Sequence, residues 1–192
     1  MATTNDTARS CTVSTPDGPF TIVTGHGSAD GADDGVDRAE YVLASGWTAD
    51  TKELVGLIHP SLRPSRTEAF SEGECDGTLA HAVAAMRSYY RGEGDALAEV
   101  PVLQVGGPFI EQAWSRLREV AAGTTLTYTE LAQASGRPAA SRAAASACAR
   151  NAAALFVPCH RIRRSDGSVG GFRYGTAVKI SLLRREGATG LG

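Results

Sequence analysis

The sequence lacks the features of membrane proteins, of secreted proteins and of proteins held together by disulfides. No apolar run among its 192 residues is long enough to cross a bilayer, and the first ten residues contain no apolar core of a secretory signal. The four cysteines are widely spaced and form no CxxC pair, which excludes a disulfide framework and favours a reactive cysteine. With 42% apolar and 21% charged residues, the composition is that of a globular protein, and we expect it in the cytoplasm.

Charge is distributed unevenly along the chain, although the net charge is only −2. Between Arg137 and Arg185 there are ten basic residues and one acidic residue, whereas the remaining 143 residues hold nine basic and 20 acidic ones. A basic segment of this kind is typical of a surface that faces phosphate groups. A solvated surface whose charge is balanced by the acidic part of the chain would contain the same number of basic residues. Charge alone therefore leaves two alternatives, a nucleic-acid partner and a solvated surface.

Hydrophobic patterns before residue 106 predict a small α/β domain. Short stretches of alternating apolar and polar residues predict strands, and the helical spacing of Leu79, Val83 and Met86 predicts a helix. The predicted elements are strands over residues 20–23, 41–45 and 100–105, a helix over residues 79–90 that Gly92 ends, and a polar tail and loop over residues 1–10 and 28–37. The run Gly-Gly-Pro that follows interrupts these patterns, so we place a domain boundary after residue 106.

A first helix is predicted directly after this boundary. It begins after Pro108 and ends near Gly123, and apolar residues recur along it at helical spacing. Its apolar face is formed by Ile110, Ala113, Trp114, Leu117 and Ala121.

Two further helices have the spacing of a helix-turn-helix unit. Thr127 and Glu130 form the pattern of a capping box, which predicts a helix over residues 128–134, and Gly136 suits its C-terminal cap. Pro138 suits the first turn of the next helix. A four-residue turn containing glycine then joins the two helices, as it does in DNA-binding proteins and in many other helical hairpins.

The second of these helices, over residues 138–150, consists almost entirely of alanine and serine. Arg142 and Arg150 are its only long side chains. A core helix would carry leucine or isoleucine, and a helix that recognises bases in the major groove would carry several polar side chains. Small residues allow a close approach to a partner, and a narrow DNA minor groove suits that shape. Tight packing on a neighbouring helix is the alternative that composition leaves open.

A short apolar strand is predicted over residues 155–157, and Pro158-Cys159-His160-Arg161 follows it. A cysteine attacks as a thiolate, and a nearby imidazole or positive charge lowers its pKa or takes its proton. Adjacent residues on a strand point to opposite faces, so Cys159 and His160 need a sharp turn or a bridging water to act together. A buried, inert cysteine beside a surface histidine is the alternative.

Residues 158–162, Pro-Cys-His-Arg-Ile, resemble the active-site signature of the O6-alkylguanine-DNA alkyltransferases, also called methylated-DNA–protein-cysteine methyltransferases. The similarity covers about residues 107–187. The other matching positions are Tyr128, Arg142, Asn151, Val169-Gly170-Gly171 and the segment KISLLRREG at residues 179–187. The resemblance implies an α/β protein, with a small ribonuclease-H-like α/β domain over residues 1–106. A mostly helical, winged-helix-like DNA-binding domain that contains the active site would cover residues 107–192.

The resemblance also implies a DNA repair enzyme that works once per molecule. An alkyl group, in the simplest case methyl, would move irreversibly to Cys159 from O6 of guanine in DNA, with O4-methylthymine as a further candidate substrate. His160, through a water molecule, and Glu186 would form the relay that generates the thiolate, and Asn151 would hold the turn on which this relay depends. No metal or organic cofactor is implied.

Double-stranded DNA carrying O6-alkylguanine is the implied partner, and a monomer without membrane attachment would approach it through the minor groove. Arg142 would enter the base stack in place of a flipped nucleotide, and Tyr128 would help to rotate that nucleotide and donate a proton to the leaving purine. The implied DNA contacts are Tyr128, Arg142, Ala143, Ser146 and Arg150. The implied substrate pocket is formed by Val157, Pro158, Val169, Gly170, Gly171, Phe172 and Arg173.

The sequence departs from the family pattern in the substrate loop. Phe172 keeps an aromatic ring but lacks the usual hydroxyl, Arg173 replaces a small residue that bonds O6, and Tyr174 replaces a glycine. Ala152 stands where a proline follows the asparagine. We therefore expect methyl adducts to fit and bulky adducts such as benzyl to be excluded.

Two other classes of function compete with this interpretation. A helix-turn-helix regulator or damage-recognition protein would bind DNA without transfer, and it would not need Cys159, His160 and Glu186. A cysteine hydrolase would turn over repeatedly and would not need the basic segment.

Four further residues match no compact metal motif and are interpreted as ordinary ones, and Cys148 is interpreted as a packing residue. Those four are Cys11, His26, Cys75 and His81.

Overall fold

The computed structural model describes residues 7–27, 39–93 and 96–190, and the chain forms two compact units, Met1–Val105 and Gly106–Gly192. The predicted loop over residues 28–37 and the first six residues of the predicted tail lie outside the described residues. In the described part of the chain, no helix is long and apolar enough to cross a membrane.

A four-stranded sheet forms the centre of the first unit. Its strands are β1 (Thr7–Thr15), β2 (Gly18–His26), β3 (Glu40–Gly46) and β4 (Arg66–Phe70), in the spatial order β3-β2-β1-β4. The strand β1 pairs antiparallel with β2 and parallel with β4. The strands predicted over residues 20–23 and 41–45 are confirmed. The predicted N-terminal tail is wrong, because Ala8, Cys11 and Val13 give β1 a buried face.

Two helices accompany this sheet, α1 (Thr51–Leu57) and α2 (Gly77–Arg91). The helix predicted over residues 79–90 is confirmed as α2, whose buried side chains include Leu79 and Met86 and which packs against β1, β2 and β3. Gly92 ends it in the left-handed conformation, with φ of 74°, which a glycine adopts without steric cost. The helix α1 was not predicted, since it has only two turns and buries little apolar surface.

The strand predicted over residues 100–105 is wrong. Only Val102 pairs with the sheet, in a single bridge to Val42. The backbone N–H of Val42 donates to the carbonyl of Pro101, and the N–H of Leu103 donates to the carbonyl of Val42. Because Pro101 has no N–H to donate, the segment cannot continue a regular ladder.

The second unit is mostly helical. It contains α3 (Pro108–Glu119), β5 (Leu126–Thr127), α4 (Tyr128–Ala134), α5 (Ser141–Arg150), β6 (Ile162–Arg163) and α6 (Thr176–Arg185), and the short strands β5 and β6 pair in parallel. The first predicted helix is confirmed as α3, but it ends at Glu119, before the expected Gly123. Its predicted face is buried except for Ala121, which lies beyond the helix and is exposed.

The two helices of the predicted helix-turn-helix are α4 and α5. The capping box is present, since the Thr127 hydroxyl accepts from the Glu130 N–H and the Glu130 carboxylate accepts from the Thr127 N–H. The helix α5 begins at Ser141, because Pro138 lies in a turn before it. Residues 135–140 therefore join the helices, and the predicted four-residue connection is too short by two residues.

The alanine-rich helix α5 has one packed side and one exposed side. Ala144 and Ala147 are buried, and the indole N–H of Trp114 in α3 donates to the Ala147 carbonyl at 2.8 Å. Arg142 and Arg150 are exposed. The small residues therefore allow α3 to approach the α5 backbone closely, while the arginines stay available on the other side.

Candidate active site

The segment before Cys159 is a buried turn, so the strand predicted over residues 155–157 is wrong. Ala154 and Val157 form an isolated bridge, and Leu155 between them has a positive φ of 75°. A 3-10 turn, Cys159–Arg161, follows. This turn is the sharp change of direction that is expected from the sequence if Cys159 and His160 are to act together.

The side chain of Asn151, at the C-terminal end of α5, holds this turn in place. Its carbonyl oxygen accepts from the Ala153 N–H at 3.1 Å, and its amide donates to the Val157 carbonyl at 2.8 Å. The same amide lies 3.2 Å from Cys159 Sγ, to which it donates. Asn151 therefore fixes the backbone before Cys159 and contacts the thiol itself.

His160 is fully buried and is paired with Glu186. Its Nε2 lies 2.8 Å from Glu186 Oε1. Burial lowers the pKa of His160, although the hydrogen bond and the charge of Glu186 oppose this shift. A carboxylate can only accept, so neutral His160 carries its proton on Nε2 and keeps a lone pair on Nδ1. This Nδ1 is buried and has no hydrogen-bond partner among the described residues, so its lone pair can accept a proton.

Arg161 fixes the other side of Glu186. Its Nε and Nη2 donate to the two oxygens of the Glu186 carboxylate at 3.0 Å each, and its Nη1 donates to the Val120 carbonyl at the C-terminal end of α3. Burial alone would raise the pKa of Glu186, but the hydrogen bonds and charges of His160 and Arg161 outweigh burial and lower it to about 2. Glu186 is therefore ionised at neutral pH and orients the imidazole.

Cys159 is a thiol at neutral pH. Burial raises its pKa, while the Asn151 hydrogen bond and the positive charges of Lys179 and Arg173 act in the opposite direction. The sulfur therefore needs a base to become nucleophilic, and these three groups stabilise the thiolate once it forms.

Lys179 is a site residue whose importance the sequence analysis missed. Its ammonium group is buried and donates to the Ile162 carbonyl at 2.5 Å and to the Gly171 carbonyl at 3.4 Å. It thereby joins α6 to β6 and to the loop after Val169. The available signal was a lysine at a core-facing helix position, Leu182 and Leu183 being its buried neighbours.

A cavity of about 500 Å³ lies beside Cys159. Its lining consists of aromatic, small and polar side chains with one guanidinium group. The lining residues are Tyr128, Ala145, Cys148, Ala149, Asn151, Ala154, Cys159, Gly171, Phe172, Arg173 and Tyr174. This size suits a planar base with a small substituent.

The predicted pocket residues divide into two groups. Gly171, Phe172 and Arg173 line the cavity, whereas Val157, Pro158, Val169 and Gly170 do not. Val157, Pro158 and Val169 are buried in the core of the unit, since they belong to the turns that support the cavity wall. Gly170 has φ of 75°, and a Cβ there would lie 3.7 Å from the Tyr128 hydroxyl, so it keeps the loop close to that residue.

Cys148, which is interpreted from the sequence as a packing residue, is half-buried and also lines the cavity. Helical geometry explains the position, because Cys148 lies on the same face of α5 as Ala145, which also lines the cavity. Burial raises the pKa of Cys148 strongly. Cys148 therefore stays protonated. Because it lines the same cavity as Cys159, it can be compared directly with Cys159.

The predicted DNA-contacting residues of α5 lie outside this lining. Arg142, Ser146 and Arg150 are exposed and Ala143 is half-buried. Tyr128 differs, because it lines the cavity. Burial raises its pKa, so the phenol keeps its proton at neutral pH.

The first unit contributes no metal centre within the part of the chain that the structure describes. No three histidine, cysteine, aspartate or glutamate side chains meet there as metal ligands would. Cys11 is buried, and burial together with the hydrogen bond that its thiol donates to Cys75 raises its pKa to about 12.

Comparisons with known proteins point to one family. A family model described as the DNA-binding domain of 6-O-methylguanine DNA methyltransferase matches residues 108–188. The chain is 49% identical over 81 residues to the bifunctional transcriptional activator/DNA repair enzyme Ada of Escherichia coli, which covers 42% of this chain and 23% of Ada. It is 35% identical over 136 residues to a probable methylated-DNA–protein-cysteine methyltransferase of Acanthamoeba polyphaga mimivirus, covering 69% of this chain and 91% of the relative.

A solved structure agrees with this result. Mycobacterium tuberculosis OGT in complex with DNA superposes with a TM-score of 0.68 at 25% identity, covering 95% of this chain and 96% of that one. The match confirms the predicted α/β fold. The names of these relatives also agree with the predicted class of function, a methyltransferase that acts on DNA. The chain spans only about a quarter of Ada, so the activator role of Ada is a statement about Ada alone.

Proposed function

The chain belongs to the methylated-DNA–protein-cysteine methyltransferase family, and on this premise we propose that it transfers a methyl group from O6-methylguanine in DNA to Cys159. The observation that carries the proposal is the thiol of Cys159 in the wall of a cavity of about 500 Å³, directly before a buried imidazole that keeps one lone pair free. A hydrolase would need a water positioned for repeated turnover. Transfer to the thiol needs only a group that removes the thiol proton and a guanine that departs as the leaving group.

The proposed reaction begins with removal of the thiol proton. Neutral His160 accepts it at Nδ1, directly or through a bridging water, and Glu186 stabilises the imidazolium that results. The Cys159 thiolate then attacks the methyl carbon, so that an S–C bond forms as the bond from carbon to O6 breaks. The electron pair stays with guanine, and the Tyr128 phenol, which lines the same cavity, donates the proton that guanine takes up.

The product is a thioether, which ordinary protein groups do not cleave. Each molecule therefore acts once, and the residues present account for the transfer without a further reactant. O4-methylthymine remains a further candidate substrate, because its methyl group is bound to an equivalent ring oxygen.

We further propose that residues 107–192 carry both transfer and DNA binding. The exposed arginines of α5 support this, because phosphate contacts and minor-groove insertion both use arginine. Arg142, near the N-terminal end of α5, would enter the base stack, and Tyr128 would steer the flipped nucleotide into the cavity. Unstacking costs a few kcal/mol, which these contacts would offset. The monomeric state and the cytoplasmic location stay predictions.

Intact-protein mass spectrometry tests the proposal. The protein is mixed with a duplex that contains O6-methylguanine, and the Cys159→Ala variant is the control. We expect the mass gain of one methyl group replacing one hydrogen in the wild type and none in the variant. Binding of the damaged duplex without a mass gain would instead indicate a damage-recognition protein, and a gain that persists in Cys159→Ala would assign the acceptor to another residue.

A further inference from the structure

Arg173 has an unusual place in the cavity. Among the described residues that line the cavity, it is the only charged one, and its neighbours there are aromatic rings, alanines, thiols and one amide. No acidic side chain in that lining compensates its charge. The residue itself is exposed, so the guanidinium remains hydrated and charged at the open side of the cavity.

A hydrogen bond fixes one end of the guanidinium. Its Nη2 donates to the carbonyl of Ala149 in the last turn of α5, a carbonyl that the helix leaves without a partner of its own. A guanidinium has five N–H donors in a planar fork, so this bond uses only one of them. The bond holds Arg173 against the cavity rather than leaving it free in solvent.

The charge of Arg173 acts on the reacting sulfur. It favours the Cys159 thiolate, as Lys179 does from the buried side. Lys179, however, is buried and already donates to two backbone carbonyls. Arg173 is therefore the cation that a substituent on guanine O6 would meet in the cavity.

We propose that Arg173 makes this site selective for O6-guanine adducts whose alkyl group ends in a carboxylate, such as carboxymethyl, over neutral adducts of the same size. The proposal rests on the proposed transfer to Cys159. Arginine binds a carboxylate through two parallel, charge-assisted hydrogen bonds, which neutral groups cannot reproduce. A small residue at this position would offer no such partner.

The reaction itself is unchanged for such an adduct. The Cys159 thiolate attacks the methylene carbon, so that the S–C bond forms while the bond from carbon to O6 breaks. The electron pair goes to guanine, which takes up one proton. The carboxylate takes no part in the bond changes, and the product is S-carboxymethylcysteine.

The test compares single-turnover transfer rates from three duplexes, which carry O6-methyl-, O6-carboxymethyl- and O6-carbamoylmethylguanine. The last two adducts have nearly the same shape and differ in charge. Each is measured by intact mass with the wild type, Arg173→Gln and Arg173→Lys. The matched control is Arg184→Gln, which removes an exposed arginine of the same basic segment that does not line the cavity.

We expect the wild type to transfer carboxymethyl about tenfold faster than carbamoylmethyl, since a charge-assisted hydrogen bond typically supports a difference of that order. Arg173→Gln should slow all three adducts to the extent that Arg173 favours the Cys159 thiolate. Beyond that common loss, it should bring the ratio to about one, and Arg173→Lys should keep part of the preference. Arg184→Gln should leave the ratio unchanged.

Three outcomes would overturn the proposal. A wild-type ratio of one means that Arg173 does not recognise the carboxylate. An equal loss for all three adducts in Arg173→Gln means that the arginine acts on the Cys159 thiolate or on a phosphate of the DNA backbone and not on the adduct. A ratio that survives Arg173→Gln assigns the selectivity to other residues. Absence of methyl transfer in the wild type would contradict the proposed function itself, which separates the two failures.

Discussion

Cys159 has a buried side, whose charged residues do not line the cavity, and an exposed side, which does line it. On one side, His160, Arg161, Glu186 and Lys179 are buried, and each makes hydrogen bonds to at least one partner in another part of the fold. On the other side, the loop with Phe172, Arg173 and Tyr174 is exposed or half-buried, and its contacts include ring edges and one bond to a helix end.

This difference separates two tasks. The buried side has a fixed protonation state and a fixed geometry, and we assign to it the activation of the thiol, which is the same for every adduct. The exposed side differs from the family pattern, whereas Glu186 is bonded by His160 and Arg161 of the buried side, and we assign to the exposed side the choice of adduct. The five predictions below test this division.

The largest effect is expected for His160→Gln, which removes the base but keeps a hydrogen-bonding side chain of similar length. Proton transfer by a positioned group typically contributes about 10²–10⁴-fold, so the methyl transfer rate should fall by that factor. Single-turnover rates from O6-methylguanine duplex check this. An unchanged rate would mean that the buried side does not activate the thiol.

Arg161→Met tests whether the buried side is held together by charge. The variant leaves the Glu186 carboxylate buried with one partner fewer, and breaking a buried ion pair typically costs about 3–5 kcal/mol of unfolding free energy. Urea denaturation measures this cost. The control is Arg116→Met, which breaks the exposed Arg116–Glu119 pair and should cost less than about 1 kcal/mol. Equal costs for the two variants would contradict the difference in burial.

The pH dependence of stability should reflect the same network. The pKa of Glu186 is lowered to about 2, below its unfolded value of 4.5, so its contribution is present above pH 4.5 and is lost as pH falls toward 2. The pKa of His160 is also lowered, so stability begins to fall once the pH drops below 6.5, where the unfolded state binds a proton first. Unfolding free energies from pH 7 to 3 should decrease in both ranges, and Glu186→Gln should flatten the lower one. A flat profile in the wild type would rule out this network.

Lys179→Met tests the electrostatic part of thiol activation. Without the ammonium group, the Cys159 thiolate loses a nearby positive charge, so the pKa of the thiol should rise further and its alkylation by iodoacetamide should slow about tenfold near neutral pH. Peptide mass mapping follows Cys159 separately from the other three cysteines. The exposed Lys52→Met in the first unit is the control. Equal alkylation in both variants would contradict a role for this charge.

Tyr174→Gly tests the exposed side and should have the smallest effect. Tyr174 lines the cavity and meets Phe172 edge to face at 5.6 Å. Its removal should increase transfer of a benzyl group severalfold while methyl transfer stays nearly constant, because an aromatic ring occupies space that a bulky adduct needs. If the wild-type protein already transfers a benzyl group as fast as a methyl group, Tyr174 does not limit the size of the adduct.

Local patterns were predictable from the sequence. The capping box of Thr127 and Glu130 and the left-handed Gly92 each depend on a few neighbouring residues, and both are found where the pattern indicated. The Cys-His-Arg signature is equally local, and the reactive centre that it implies stays a prediction. Its spacing to Asn151 and Glu186 follows the family pattern, and the structure brings these side chains to hydrogen-bond distance.

Features that depend on distant contacts were not predictable in this way. The segment before Cys159 contains apolar residues typical of a strand, but the Asn151 side chain bonds its backbone and the segment turns instead. Lysine is a residue type that is usually exposed, so its position beside Leu182 and Leu183 does not by itself predict burial. Lys179 is buried because its ammonium group donates to carbonyls from β6 and the substrate loop. Cys148 lines the cavity because it lies on the same face of α5 as Ala145, and that face borders the loop with Phe172.

Peptide mapping of the wild-type protein after one reaction with O6-methylguanine duplex tests the central claim most directly. Cys159 and Cys148 line the same cavity, but the Cys159 sulfur accepts from the Asn151 amide, and Cys159 is followed by the His160–Glu186 pair. The account predicts that the methyl group is found on the peptide that contains Cys159 and that the peptide with Cys148 stays unmodified. Methylation of Cys148 would contradict this account. Loss of the methyl group from the duplex with no cysteine methylated would also contradict it.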